Sequence, residues 1–300
     1  MTESFLNKLE DKINKVGSSL CVGIDPHFCA IPPSFQRIIE DKGEYYFLDW
    51  FGNSVLESSI DVGVAAIKFQ SAFFEAFGVE GINVLKNLLK KCNTCGMISI
   101  LDAKRGDISS TMSAYGKAAF TSLDADVLTI TPYMGIDVLR PLEPFLKNGK
   151  GVYVVWLSSN ESGRDLQDLK TKNNKSVAHE LFDIIEAKTS ELQIENSIGY
   201  VLGATKVQRM PEDLFYKALK KPLLLPGVGA QGASIDQPRI SEVLDFGIHL
   251  VPVSRGISGF GQNYLDPRLK QGLDITTNCY KDFLKSQIES FKKNLTPRKV

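Results

Sequence analysis

Residues 99–108 read Ser99-Ile100-Leu101-Asp102-Ala103-Lys104-Arg105-Gly106-Asp107-Ile108. The apolar start is typical of a buried strand, yet it runs directly into four charged residues within six positions, and charges are rarely buried unless they are paired. Because alternate side chains of a strand share a face, Asp102 and Lys104 are expected to point the same way. Gly106 allows a turn, after which Asp107 stands where a helix would begin. The pattern indicates a cluster of acidic and basic side chains at the end of a strand, suited to general acid–base catalysis.

Two structural explanations fit the same residues. Asp is a favoured N-cap, so Asp107 could serve only to start the following helix. Asp102 and Lys104 could form an ion pair that stabilises the fold without chemistry, since ion-pair networks also perturb pKa values. The rest of the chain has to decide between these explanations and a catalytic one.

The composition narrows the class of protein. The 300 residues are 43% hydrophobic and carry 35 basic and 35 acidic side chains, so the net charge is zero and no nucleic-acid-binding face is indicated. The chain contains no run of about 18 apolar residues, which predicts no membrane span. The first 15 residues form an amphipathic helical pattern rather than a signal peptide.

Cysteine and histidine usage indicates neither disulfides nor a metal. Five cysteines without a signal peptide favour a reducing cytoplasm. Cys92 and Cys95 form a C-x-x-C, but no second pair or histidine accompanies them, and zinc needs about four ligands. His27, His179 and His249 lie in unrelated contexts. We therefore expect no metal site and interpret the two thiols as incidental.

Eight apolar, β-branched runs alternate with helical patterns. The runs span residues 18–24, 62–69, 97–101, 125–130, 151–157, 198–202, 222–225 and 248–253. The helical patterns span residues 45–60, 82–89, 108–120, 177–192 and 264–291, the last as two helices around Gly272, and a short helix is possible within 26–43. Such alternation predicts an α/β protein with a parallel sheet buried on both faces.

We predict a (β/α)₈ TIM barrel as a single domain over residues 1–300, with an N-terminal helix and a C-terminal helical extension. A doubly wound sheet is the alternative, but no Gly-x-Gly-x-x-Gly follows the first strand. Polar residues collect where the predicted strands end, and in a barrel these ends share the face on which active sites are built. They are Asp25, Lys68, Asp102, Lys104, Ser159, Gln231 and Arg255.

The last two strands indicate a phosphate site. Residues 226–232 are rich in glycine, and such loops either form tight turns or bring backbone N–H groups close to an anion. Gln231 can donate from its amide, and Arg255 after the next strand can make a bidentate contact. Barrels often bind phosphate after strands seven and eight. Without a nicotinamide, flavin, pyridoxal or metal motif, the chemistry would be proton transfer or formation of a lysine Schiff base.

Residues 101–108 resemble the signature of the orotidine 5′-phosphate decarboxylases, in particular their second, mainly bacterial group. Further similar blocks occur in the family's order between about residues 18 and 260. These blocks are 21–26, 68–70, 131–135, 226–232 and 253–256. The resemblance implies a homodimer of (β/α)₈ barrels that converts orotidine 5′-monophosphate (OMP) to uridine 5′-monophosphate (UMP) in pyrimidine biosynthesis, with no cofactor and no metal.

The resemblance also implies residue roles. Lys68, Asp102 and Lys104 would act within one subunit, whereas Asp107 and Thr111 would reach into the neighbour's site. The substrate-binding positions would be Asp25 for the ribose, Ser159 for the pyrimidine, and Gln231 and Arg255 for the phosphate. Thr111, Gly232 and Gly256 would also bind the substrate.

The chain departs from the family pattern at two places. Residues 159–163 read Ser-Asn-Glu-Ser-Gly instead of Ser-Asn-Pro-Gly-Ala, and Thr131 replaces a common Asn. Three alternatives also remain: an aldolase that uses Lys104 as a Schiff base, a metal-dependent decarboxylase of keto-acid phosphates, and a catalytically inactive phosphate-binding barrel.

Overall fold

The computed structural model describes residues 2–228, 234–261, 264–270 and 277–297. Eight parallel strands pair in sequence order, and β1 also pairs with β8. The strands are β1 (Leu20–Ile24), β2 (Ala66–Gln70), β3 (Ile98–Arg105), β4 (Val127–Ile130), β5 (Gly151–Leu157), β6 (Ile198–Leu202), β7 (Leu223–Leu224) and β8 (Val251–Val253). A bridge between Leu224 and Leu250 joins β7 to the chain entering β8. The predicted (β/α)₈ barrel is confirmed.

Helices separate the strands and form the outer layer. They are α1 (Phe5–Val16), α2 (Pro33–Lys42), α3 (Glu44–Val62), α4 (Ser71–Glu75), α5 (Gly78–Thr94), α6 (Ser109–Lys117), α7 (Glu143–Leu146), α8 (Arg164–Gln167), α9 (Val177–Leu192), α10 (Ala204–Val207), α11 (Glu212–Leu219), α12 (Pro238–Asp245), α13 (Arg255–Ser258), α14 (Pro267–Lys270) and α15 (Thr277–Asn294). A small hairpin of β9 (Phe260–Gly261) and β10 (Tyr264–Leu265) follows α13. None of the described helices is long and apolar enough to cross a membrane.

The barrel interior is filled by apolar side chains and closed at its lower end by α1. Phe5, Leu9 and Ile13 of α1 are buried and join the interior cluster formed by the strands. These three residues are spaced four apart and share one face of the helix, which explains the amphipathic pattern of the first 15 residues. Because this end is plugged, the opposite mouth, at the carboxyl ends of the strands, is left for a site.

Several predicted boundaries were wrong, and three of them change the type or extent of an element. The second strand begins at Ala66 rather than at residue 62, because α3 continues to Val62 and ends at Gly63, whose φ of 73° suits glycine. The helix predicted over 108–120 begins at Ser109 and gives way to a π-helical turn, Ala118–Ser122. Tyr264 lies in β10, not in a helix; Gly272 lies outside the described residues. The expected helix within 26–43 is α2.

Candidate active site

Four charged side chains alternate in sign at the carboxyl ends of β1, β2 and β3. The ammonium of Lys68 lies 3.1 Å from Asp25 Oδ1 and 3.2 Å from Asp102 Oδ2. Lys104 Nζ lies 2.7 Å from Asp102 Oδ1. Lys68 and Asp102 are buried, whereas about half of the Lys104 side chain is exposed. One lysine is therefore locked between carboxylates, and the other is held by one carboxylate while facing the open mouth.

An irregularity in β3 brings Asp102 and Lys104 together. The pairing of β3 with β4 shifts register between Leu101 and Arg105, and Lys104 has a φ of +46°, a region that non-glycine residues rarely adopt. The hydroxyl of Thr129 on β4 bonds both residues: it accepts from the Lys104 backbone N–H at 2.9 Å and donates to Asp102 Oδ1 at 2.9 Å. Thr129 thus holds the strained backbone in place.

Gln70 supports the same carboxylate from β2. With its amide oriented by the hydrogen-bond network, its nitrogen donates to Asp102 Oδ2 at 3.1 Å and to the Asp102 backbone oxygen at 2.6 Å. The sequence did not single out Gln70 or Thr129 as supports of Asp102. The sequence could have indicated Gln70 as a site residue, since it lies two positions after Lys68 on the same strand. Nothing in the sequence indicates Thr129, because its partners are distant in sequence.

Asp102 and Lys68 keep their charges at neutral pH. Burial alone would raise the pKa of Asp102, but Lys68, Lys104 and the Thr129 hydrogen bond lower it to about 2. Burial alone would lower the pKa of Lys68, but Asp25 and Asp102 together raise it above its ordinary value. Opposite charges therefore outweigh desolvation in both cases. The result is a preorganised set of fixed charges with little freedom to rearrange.

A cavity of about 310 Å³ adjoins the array. One side carries the four charged residues, and the other is formed by the segments that follow β5, β7 and β8. Its wall includes Ser158, Ser159, Pro226, Gly227, Val228, Ser254, Arg255 and Gly256. The structure thus brings Asp25, Lys68, Asp102, Lys104, Ser159, Arg255 and Gly256 to one cavity. The predicted phosphate ligands Gln231 and Gly232 lie outside the described residues.

Asp107 and Thr111 are not among the residues that line this cavity. Asp107 Oδ1 accepts a hydrogen bond from the Ile108 backbone N–H at 2.7 Å. The N-cap position of α6 is Ile108, so the explanation of Asp107 as the helix cap was wrong. Thr111 is exposed on α6. Both side chains lie outside the cavity formed by their own chain.

The segment that departs from the family pattern makes its own local contacts. Glu161 pairs with Arg164 at 2.5 Å, and Asn160 Nδ2 donates to Ser162 Oγ at 2.9 Å. Gln167 Oε1 accepts from the Ser158 backbone N–H at 3.3 Å, which ties α8 to the end of β5. Side-chain contacts thus link this segment to itself and to the end of β5 where the family pattern has a proline and a glycine.

The second departure, Thr131, packs against the turn that follows the array. A Cβ placed at Gly106 would lie 2.5 Å from Thr131 Cγ2 and 2.6 Å from Thr131 O, so the close approach requires glycine. The Thr131 backbone N–H donates to Arg105 O at 2.8 Å. Thr131 takes no part in the contacts of Asp102 and Lys104 with each other and with Thr129.

Fold and site together define a (β/α)₈-barrel protein with its site at the carboxyl ends of the strands, the usual place for an active site in this architecture. The family model for the orotidine 5′-phosphate decarboxylase / HUMPS family matches residues 18–263. The chain belongs to this family.

Individual relatives agree with that assignment. The orotidine 5′-phosphate decarboxylase of Salinispora tropica is 38% identical over 242 residues, which cover 79% of this chain and 84% of the relative. The enzyme of the same name from Streptomyces coelicolor is 37% identical over 270 residues, covering 86% and 87%. A crystal structure of a Streptomyces avermitilis protein superposes with a TM-score of 0.77 at 31% identity, covering 98% of this chain and 96% of the other.

Proposed function

We propose that this chain is a carboxy-lyase that decarboxylates OMP to UMP, using side chains alone and no cofactor or metal. The observation that carries the proposal is the alternating array Asp25–Lys68–Asp102–Lys104 beside a cavity that Arg255 also lines. Relatives named orotidine 5′-phosphate decarboxylase match most of the chain. We place the reaction in pyrimidine biosynthesis, in the cytoplasm, and assign all 300 residues to one domain.

The reaction breaks the bond between pyrimidine C6 and its carboxylate. CO₂ leaves, and the electron pair stays on C6 as a carbanion. Lys104 Nζ donates a hydrogen bond to Asp102 Oδ1 at 2.7 Å, so its ammonium group is positioned to stabilise the negative charge on C6 and then donate a proton there. Two opposite unit charges about 4 Å apart attract by roughly 4 kcal/mol at an effective dielectric near 20. Stabilisation of the developing charge by this fixed array is the main catalytic effect.

The remaining residues orient the nucleotide. Asp25 binds the ribose and Ser159 contacts the pyrimidine, while Gln231, Gly232, Arg255 and Gly256 grip the phosphate. The phosphate is remote from the bond that breaks, so its binding energy serves to hold C6 against Lys104 and to close the loops after β5 and β7.

The active site is completed by a second copy of the chain. In this proposal, Asp107 and Thr111 reach into the partner's cavity, where Asp107 adds a second carboxylate beside Lys104. Their position outside their own cavity supports this arrangement. So do the neighbouring apolar side chains, since Ile108 is 48% exposed, Tyr133 79% and Met134 55%; exposed apolar groups of this size are typical of protein interfaces.

A spectrophotometric assay with OMP tests the proposal. The purified chain should convert OMP to UMP, with the loss of OMP absorbance matched by release of CO₂, in the presence of a chelator and without added cofactor. Inhibition by the chelator would support the metal-dependent alternative. Trapping of substrate on Lys104 by borohydride would support the aldolase. UMP binding without any turnover would leave an inactive phosphate-binding barrel.

A further inference from the structure

The side chain of Arg255 lies in a narrow space at the rim of the cavity. Arg255 begins α13 directly after β8 and lines the cavity. The chain then returns past it in β9, whose last residue is Gly261. His27, two positions after Asp25 of the charged array, faces the same side of Gly261 as Arg255 does. The three residues come from different segments and meet at one point.

Gly261 leaves no room for a side chain at that point. A Cβ placed there would lie 2.6 Å from Arg255 Cγ, 2.8 Å from Arg255 Cδ and 3.1 Å from His27 Cδ2. Heavy atoms in van der Waals contact are about 3.5–4.0 Å apart, so all three distances are too short. Cγ and Cδ are the middle of the arginine side chain. They cannot shift without redirecting the guanidinium that follows them.

His27 is itself held in place. Its ring packs edge-on against Phe73 of α4, with the ring centroids 4.5 Å apart and an interplanar angle of 64°. The turn that follows His27, Phe28–Ala30, contacts β9. The ring therefore packs on Phe73 and also lies close to Gly261.

Burial favours the neutral imidazole of His27 by lowering its pKa. Arg255 and Lys68 lower the pKa further, and Asp25 opposes them. These three charged groups come from the segments at the ends of β8, β2 and β1. A neutral ring can lie beside Arg255 without repelling the guanidinium, so its contribution here is shape rather than charge.

We propose that His27 and Gly261 form a clamp around the Arg255 side chain that aims its guanidinium at the phosphate of the substrate. Both are positioning residues: they act on the ligand only through Arg255. The proposal deepens the proposed function, because it rests on Arg255 binding a phosphomonoester. It gives a role to the glycine that lies against this arginine and to the histidine beside that glycine.

A double-mutant cycle on UMP affinity tests the clamp by calorimetry. Arg255→Ala should weaken UMP binding roughly 10- to 100-fold, as expected for loss of a charge-assisted hydrogen bond. Gly261→Ala and His27→Ala should each weaken it at least about fivefold in the native background and less than about twofold in the Arg255→Ala background. His27→Phe, which keeps a ring against Phe73, should restore most of the affinity. Uridine, which lacks the phosphate, should bind all the single variants equally well.

Gly17→Ala is the matched control. Gly17, at the end of α1, has a φ of +70°, and nothing lies within 4 Å of the position that a Cβ would take there. The substitution should lower thermal stability without changing UMP affinity. Equal losses from Gly261→Ala or His27→Ala in both Arg255 backgrounds, or losses that extend to uridine, would overturn the clamp. So would native affinity in both variants. If either Gly261→Ala or His27→Ala does not fold, the UMP affinity of the other variant in the two Arg255 backgrounds tests the clamp.

The proposed function is judged separately, by turnover of OMP by the native chain. If the native chain binds UMP but does not decarboxylate OMP, the function fails and the cycle still tests the clamp. If it does not bind UMP, the cycle is repeated with inorganic phosphate. Absence of binding of either ligand would overturn the clamp as well.

Discussion

At the scale of single residues, Asp102 is the centre of the site. It receives contacts from Lys68, Lys104, Thr129 and Gln70. The sequence was sufficient to predict the charged members of this set, because charge at the end of an apolar strand is conspicuous. It was not sufficient for Thr129, since a single threonine in a buried strand gives no sign of the distant partner it will bond.

The low pKa of Asp102 predicts how stability depends on pH. Its pKa is about 2 in the folded chain and returns to its ordinary 3.8 on unfolding. Between these values the unfolded chain binds more protons, so the free energy of unfolding rises with pH. The contribution, about 2 kcal/mol, is complete above about pH 5 and is lost as the pH falls through about 2.

Urea unfolding of the native chain and of Asp102→Asn between pH 2 and 6 measures this effect. Other carboxylates titrate in the same range, so the quantity of interest is the difference between the two proteins. That difference should grow with pH across the window. Parallel curves would mean that Lys68 and Lys104 do not stabilise the charged form of Asp102.

At the scale of secondary structure elements, the pattern of the strands was easier to predict than their ends. The strands Gly151–Leu157 and Ile198–Leu202 have the predicted bounds, because apolar runs buried on both faces are distinct from their flanks. β3 extends to Arg105, four residues beyond its apolar run, because the Thr129 contacts and the bulge continue the pairing. Such an extension depends on the neighbouring strand and is not visible in local sequence.

The plug formed by α1 yields a prediction on stability alone. Leu9 is fully buried against the barrel interior. Leu9→Ala should lower the free energy of unfolding by about 2–5 kcal/mol, the range found for buried leucines that leave a cavity. Because the plug is at the opposite end of the barrel from the charged array, kcat for OMP should stay within about twofold, measured alongside denaturant unfolding. A loss of activity that parallels the loss of stability would show that the two ends are coupled.

At the scale of the whole molecule, each active site is proposed to contain residues from two chains. The sequence indicated this only through the family resemblance, since no local pattern shows that Asp107 and Thr111 act on a partner. The structure of one chain supports it by leaving both side chains outside their own cavity. The geometry between partners depends on how two surfaces pack, which no local sequence pattern encodes.

Mixing two inactive variants tests the shared site. In a dimer made only of Lys104→Ala chains, or only of Asp107→Ala chains, every site carries one substitution and is inactive. In a mixed dimer, one site contains both substitutions and the other contains neither, so up to about a quarter of native activity should return at equal mixing if the subunits exchange freely. Mixed dimers are isolated with two different affinity tags. Mixed dimers as inactive as their parents would contradict sharing.

The most direct test of the central claim is the rate of CO₂ release from OMP, measured side by side for the native chain and Lys104→Ala. If Lys104 stabilises and protonates the C6 carbanion, the variant should lose at least the ~10²–10⁴-fold typical of a general acid while still binding UMP. A variant that releases CO₂ at nearly the native rate would contradict the role assigned to the charged array.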